Sequence, residues 1–200
     1  PDSSSENGTV QRLSGKTHIE RLIREAQQKV DEGKLDEGIR EFAAVATLAA
    51  EEADQLEPAD RPEMLELRAY ASRLHLAALE GKENMLEERV EETEERLEDL
   101  QSRLEDEIEE YQQDRREYER DVAGNPEGRF GTNSVQRELS RREADLKERQ
   151  AQFAPFRQRT LQQLAEMKAE LLHTATQIEL TEKHVEQAED TAKEARRALR

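Results

Sequence analysis

The 200-residue sequence predicts an all-α protein, a small helical head followed by a long antiparallel coiled-coil hairpin. Three observations carry that reading. An apolar or small residue recurs every seventh position at Leu164, Leu171, Ile178, Val185, Ala192 and Leu199, with a second row at Met167, Thr174, Thr181, Ala188 and Ala195. This 3,4 spacing keeps one seam of a helix facing a partner helix. Charged residues make up 40% of the chain and hydrophobic ones only 34%, which is too little apolar matter for a globular core of this length. Because the charge alternates with apolar residues at helical spacing, it reads as solvated helix faces and not as disorder. Finally, a cluster of helix breakers, Ala123 to Thr132, separates two apolar-periodic arms of matched length.

The elements follow in order. Residues 1–16 are rich in Ser, Asn and Gly and read as a disordered N-terminal segment. Asn7-Gly8-Thr9 matches a glycosylation acceptor by chance composition, and no basic start with an apolar run marks a secretory signal. Ser14-Gly15-Lys16-Thr17 echoes the end of a phosphate-binding loop, but Val10 stands where the earlier glycine is required and no strand precedes it. Thr17 with Glu20 reads as a capping box that starts a first helix at His18. Ile19, Leu22, Ile23 and Ala26 share its face, and Gly33 ends it.

The second helix spans residues 35–56. Its middle, Phe42 to Ala50, is apolar on nearly every side, so it is expected to be surrounded and to form the centre of the head at residues 17–80. Asp60-Arg61-Pro62-Glu63 supplies an N-cap, a first-turn proline and a capping-box acid for the third helix. That helix runs about sixty residues, roughly 90 Å, with Gly81 as its weak point. The hairpin proper occupies residues 81–200 with its turn at 123–133 and Asn133 or Ser134 capping the return helix. Setting Val122 opposite Val135 brings Pro62 opposite Ala195. In that register the four-residue step from Leu104 to Ile108 lies near the eleven-residue step from Phe153 to Leu164. Such insertions locally unwind a supercoil, and their coincidence favours pairing within one chain. Pro155, inside this region, is expected to kink the return helix.

Within residues 19–80, Leu22, Ala26, Gly33, Leu35, Gly38, Phe42 and Val45 place a small residue in one helix, a Gly-x-Leu-x-x-Gly turn and an aromatic in the next. This pattern resembles a tetratricopeptide repeat or the three-helix microtubule-interacting-and-trafficking module. Both families are protein-binding scaffolds, so the resemblance implies recognition of a peptide or helix in a groove.

Charge and composition exclude several functions. A net charge of −17 repels phosphate backbones and anionic lipid, which argues against direct nucleic-acid binding. The longest apolar run, Phe42 to Ala50, is too short to span a bilayer. With no cysteine and no secretory signal, a soluble cytoplasmic protein is the expectation. Glu170 and His173 share the Glu-x-x-His spacing of di-iron bundles, but those sites require a second such motif and two more inward carboxylates. His173 and His184 lie too far apart on one helix to share an ion, and His18 and His75 have no evident partner. No catalytic, metal or cofactor constellation emerges, so the expectation is not an enzyme.

Three stretches remain as candidate contact sites for protein partners. Residues 83–110 carry fourteen acids against Arg89, Arg96 and Arg103. Within them Glu91, Glu92, Glu94, Glu95, Glu98 and Asp99 form either a plain solvated face or a docking strip for a basic partner. At the tip, Arg129 and Phe130 stand between glycines, where Phe130 either contacts a partner or packs onto Val122 and Val135. Lys193, Arg196, Arg197 and Arg200 form a basic end that also suits a helix C-terminus. The functional expectation is a scaffold or adaptor that works as a homo- or hetero-oligomer. An ATP-independent chaperone using the tip is the alternative.

Overall fold

The computed structural model describes the backbone of residues 3–124 and 129–199 and the side chains of residues 15–124 and 133–199. Among these residues the chain is entirely helix and connecting turn, in four elements: α1 (Ser3–Asp31), α2 (Leu35–Gln55), α3 (Arg61–Gly124) and α4 (Arg129–Ala198). None of these helices is long and apolar enough to cross a membrane. The all-α class and the antiparallel pairing of the two long helices are as the heptad pattern indicates.

The first compact unit comprises residues 1–86 and 170–200. Its core gathers Ile19, Ile23 and Ala26 of α1 with Phe42, Val45 and Ala49 of α2 and Leu65, Ala71 and Leu79 of α3. Ala192 of α4 completes it, so the C-terminal arm is part of the same core as the head. The α1–α2 turn closes as a Schellman motif: Gly33 N–H donates to Val30 O at 2.9 Å and Lys34 N–H to Lys29 O at 2.8 Å. Gly33 adopts φ 79°, a left-handed conformation that costs a side chain strain. Gly38 serves a different purpose. A Cβ there would collide with the Val30 side chain and lie 3.2 Å from the Ala26 carbonyl oxygen, so glycine lets α1 and α2 approach closely.

Three sequence expectations differ from this structure, and one residue gains a role the sequence did not signal. α1 starts at Ser3 and not at His18, so Thr17 and Glu20 lie inside a helix and form no cap there. Near the end of that extension, Lys16 pairs with Glu63 of α3 at 3.0 Å. α2 is not enclosed on all sides, because Ala44 and Thr47 face water; alanine exposes too little apolar area to forbid it. Arg61 does more than precede a helix. Its Nε donates to Leu56 O at 2.9 Å and its Nη2 to Asp54 O at 3.3 Å, which satisfies carbonyls at the end of α2. Part of the breaker cluster is helical, since α4 begins at Arg129 and carries Asn133 and Ser134 in its interior. A short connection suffices between antiparallel neighbours. The remainder of the expected turn, residues 125–128, lies outside the described residues, as do the side chains of residues 1–14.

The second unit, residues 87–169, is the α3–α4 pair alone. Val90, Leu97 and Leu164 are its buried cluster, with Phe153 and Met167 packed against it. Farther along, Tyr111 and Leu146 are buried. Ion pairs fix the register: Arg149 meets Glu107 at 2.7 Å, Arg142 meets Asp114 at 2.5 Å, and Lys168 meets Glu94 at 2.5 Å. Each falls within about five residues of the Val122–Val135 register read from sequence, which is the reach of long charged side chains. α4 continues as helix through Pro155.

In the first unit the same register holds, with Arg73 on Glu189 at 3.1 Å and Arg196 on Glu66 at 2.5 Å. The most buried seam positions there are small residues, with Leu171, Ile178 and Val185 half-buried beside them. Thr174, Thr181, Ala188 and Ala192 are all buried, and Thr174 returns its hydroxyl proton to Glu170 O at 2.9 Å.

Candidate interaction surfaces

The α1–α2 pair holds a groove of about 440 Å³. Its floor is Leu22, Val45, Leu48 and Ala44, and its rim carries Glu25, Glu32 and Glu41 with one cation, Lys29. The spacing that produces it is visible in the chain. Gly38 draws the helices together at the turn, while Phe42 and Ala49 point to the core, leaving Ala44 and Leu48 on the opposite side of α2. Lys29 is held by Glu41 and, at 3.4 Å, by Glu37; these bonds raise its pKa and keep it charged. The rim therefore stays acidic overall.

A second set of charges ties α2, α3 and α4 together at one point. Lys82, with only 16% of its side chain exposed, contacts Asp36 and Glu170 at 2.7 Å each. Burial disfavours its charge, but the two carboxylates outweigh that and hold its pKa above the ordinary value. Glu170, read from sequence as a candidate ligand beside His173, is thus bound to Lys82, and His173 faces water. Among the described residues no group of three or more His, Asp or Glu side chains is placed to hold a metal ion. His75, by contrast, acquires surroundings that sequence did not signal. It is half-buried, and burial first, then the nearby His184, lower its pKa below 6.5.

In the second unit the acidic strip lies largely in water. Glu91, Glu92, Glu95 and Glu98 are exposed and form no ion pair among the described residues, Glu94 is taken by Lys168, and Asp99 lies 3.5 Å from Arg103. Beside the seam, Leu100, Leu104, Phe153 and Phe156 line a notch of about 520 Å³, with Arg103 and the Arg149–Glu107 pair at its edge. Leu100 and Phe156 each remain 37% exposed. This notch lies at the two coinciding irregularities of the heptad pattern, where local unwinding turns seam residues toward the flank. Toward the tip, the Tyr111 hydroxyl donates to Glu143 Oε2 at 3.1 Å; burial and that carboxylate raise its pKa.

Arg129 and Phe130 fall in the first turn of α4, and their side chains lie outside the described residues. Val122 and Val135, the expected neighbours of Phe130, are both exposed. At the other end of α4, Arg196 is committed to Glu66 and Lys193 to Asp190 at 3.2 Å, whereas Arg197 extends into water; Arg200 lies outside the described residues. Comparison with protein-family models, curated proteins and solved structures finds no match for this chain.

Proposed function

We propose that this protein is a non-enzymatic scaffold or adaptor of the cytoplasm, whose helical head receives a partner helix or peptide within a larger assembly. The observation that carries the reading is the α1–α2 groove: an apolar floor open to water with an acidic rim. A concave apolar surface with a few charged groups at its margin is the form in which helices recognise short amphipathic segments. The acidic rim selects a segment with basic residues flanking its apolar anchors. The resemblance of residues 19–80 to tetratricopeptide and microtubule-interacting-and-trafficking modules points the same way.

The test is to recover what co-purifies with a tagged full-length chain from its native extract and to repeat this with Ala44→Arg. Ala44 is exposed and lines the groove, so the new side chain fills it and halves the net negative charge of its rim without touching the core. One or two stoichiometric proteins retained by the wild type and lost from the variant support the adaptor. A diffuse set of substoichiometric clients, unaffected by the variant, favours an ATP-independent holdase. That second reading draws on Val122 and Val135, apolar side chains left in water toward the tip.

A further inference from the structure

We propose that the notch face of residues 87–169 is the docking site for a second copy of this chain, laid antiparallel along α3. The proposal stands apart from the groove and does not depend on it. Arg89, Arg96 and Arg103 recur at seven-residue intervals, and Glu92, Asp99 and Asp106 recur at the same interval three residues later. Helical periodicity puts both rows on one flank of α3, the flank on which Leu100 and Arg103 border the notch. Three cations and three anions balance within these two rows, although residues 83–110 as a whole are strongly acidic. Much of the surplus lies elsewhere, with Glu87, Glu91, Glu94 and Glu98 on the other side of the seam, while Glu88 and Glu95 border the acid row.

The two rows are self-complementary. An antiparallel copy placed with Arg96 opposite Asp99 of the second copy also sets Arg89 opposite Asp106 and Arg103 opposite Glu92. Two-fold symmetry repeats each pair, as an isologous interface requires. The same register places the two notches on either side of the symmetry axis, each facing residues 88–95 of the other copy. Pairing within one helix uses only two of these charges, Arg103 and Asp99. Arg89 and Arg96 form no ion pair among the described residues, and the 3.5 Å Arg103–Asp99 pair is about three-quarters exposed on both sides. Cations left free between acids three and four residues away are available to a partner with the opposite pattern, and this chain has that pattern itself.

The experiment is sedimentation equilibrium on the full chain at near-physiological salt, with two reciprocal variants. Arg96→Glu with Arg103→Glu makes the flank acidic; Glu92→Arg with Asp99→Arg makes it basic. All four positions are exposed, and circular dichroism checks that helix content is kept. The expected result is a wild-type dimer, at least a roughly tenfold weaker dimer for each variant alone, and recovery of dimer mass on mixing the two. A wild-type chain that stays monomeric at 200 µM overturns the proposal, even if another protein binds the notch. So does a dimer that survives both reversals, or a mixture that fails to recover dimer.

Discussion

Replacing glycine by alanine at two positions, Gly38 and Gly81, should move stability in opposite directions. In a helix interior the exchange removes backbone freedom from the unfolded chain and is worth roughly 0.5–1 kcal/mol in favour of alanine. At Gly81 a Cβ meets nothing within 4 Å, so the full gain is expected, raising Tm by about 2–4 °C for a chain of this size. At Gly38 the same methyl runs into Val30, whose branched side chain has one favoured rotamer in a helix and does not turn aside. The Ala26 carbonyl at 3.2 Å closes the other direction, because backbone in a packed helix shifts only with its neighbours. Overpacking of this kind costs about 1–3 kcal/mol, which leaves a net loss of about 1–2 kcal/mol and a Tm lower by roughly 3–6 °C. Urea titration of each variant, with the midpoint read at unchanged slope, measures both effects. Val30→Ala in the Gly38→Ala background should recover most of the loss, giving a coupling of about 1 kcal/mol or more in the double-mutant cycle. A Gly38→Ala protein as stable as wild type, or a cycle with no coupling, refutes the close approach of α1 and α2.

Two further predictions concern pH and the tip. Because burial and His184 lower the His75 pKa, the folded protein takes up this proton less readily than the unfolded chain. Its contribution to stability is therefore complete above pH 6.5 and is lost as pH falls from there toward the lower folded value. Tm measured between pH 8 and pH 5.5 should decline in that window, and His75→Gln should flatten the decline; an unchanged slope assigns it to other groups. Phe130→Ala should reduce partner retention at the tip while leaving Tm within about 1 °C of wild type, as for an exposed substitution. A large fall in Tm would instead place Phe130 against Val122 and Val135 as a structural staple.

What could be read from the sequence was what repeats. The Leu164 and Met167 rows, the register of the two arms and the glycine-closed turn after α1 all follow from local periodicity and turn chemistry, and the helices are where those patterns place them. The features that were missed depend on groups brought together from far along the chain. Arg61 reaching back to Leu56 and Asp54, Lys82 bridging Asp36 and Glu170, and His75 beside His184 have no local signature. The start of α1 was misplaced because serine, asparagine and glycine argue against helix by propensity, which is a weak guide. The groove was half legible. The glycine turn and the core-facing Phe42 that shape the α1–α2 pair were apparent, but an apolar run in α2 does not say which of its faces is left uncovered.

The seam of α4 in the first unit, carried by Thr174, Thr181, Ala188 and Ala192, has a thermal consequence. Side chains this small hide less hydrocarbon per helical turn than leucines would, so unfolding this stretch hydrates less apolar surface than an all-leucine seam. The heat-capacity change should then fall below the usual ~12–15 cal/mol/K per residue, and the stability curve should be correspondingly flat. Helix packing in this arm would change little between a cold and a warm environment, since the part of the driving force that fades on cooling is the part it uses least.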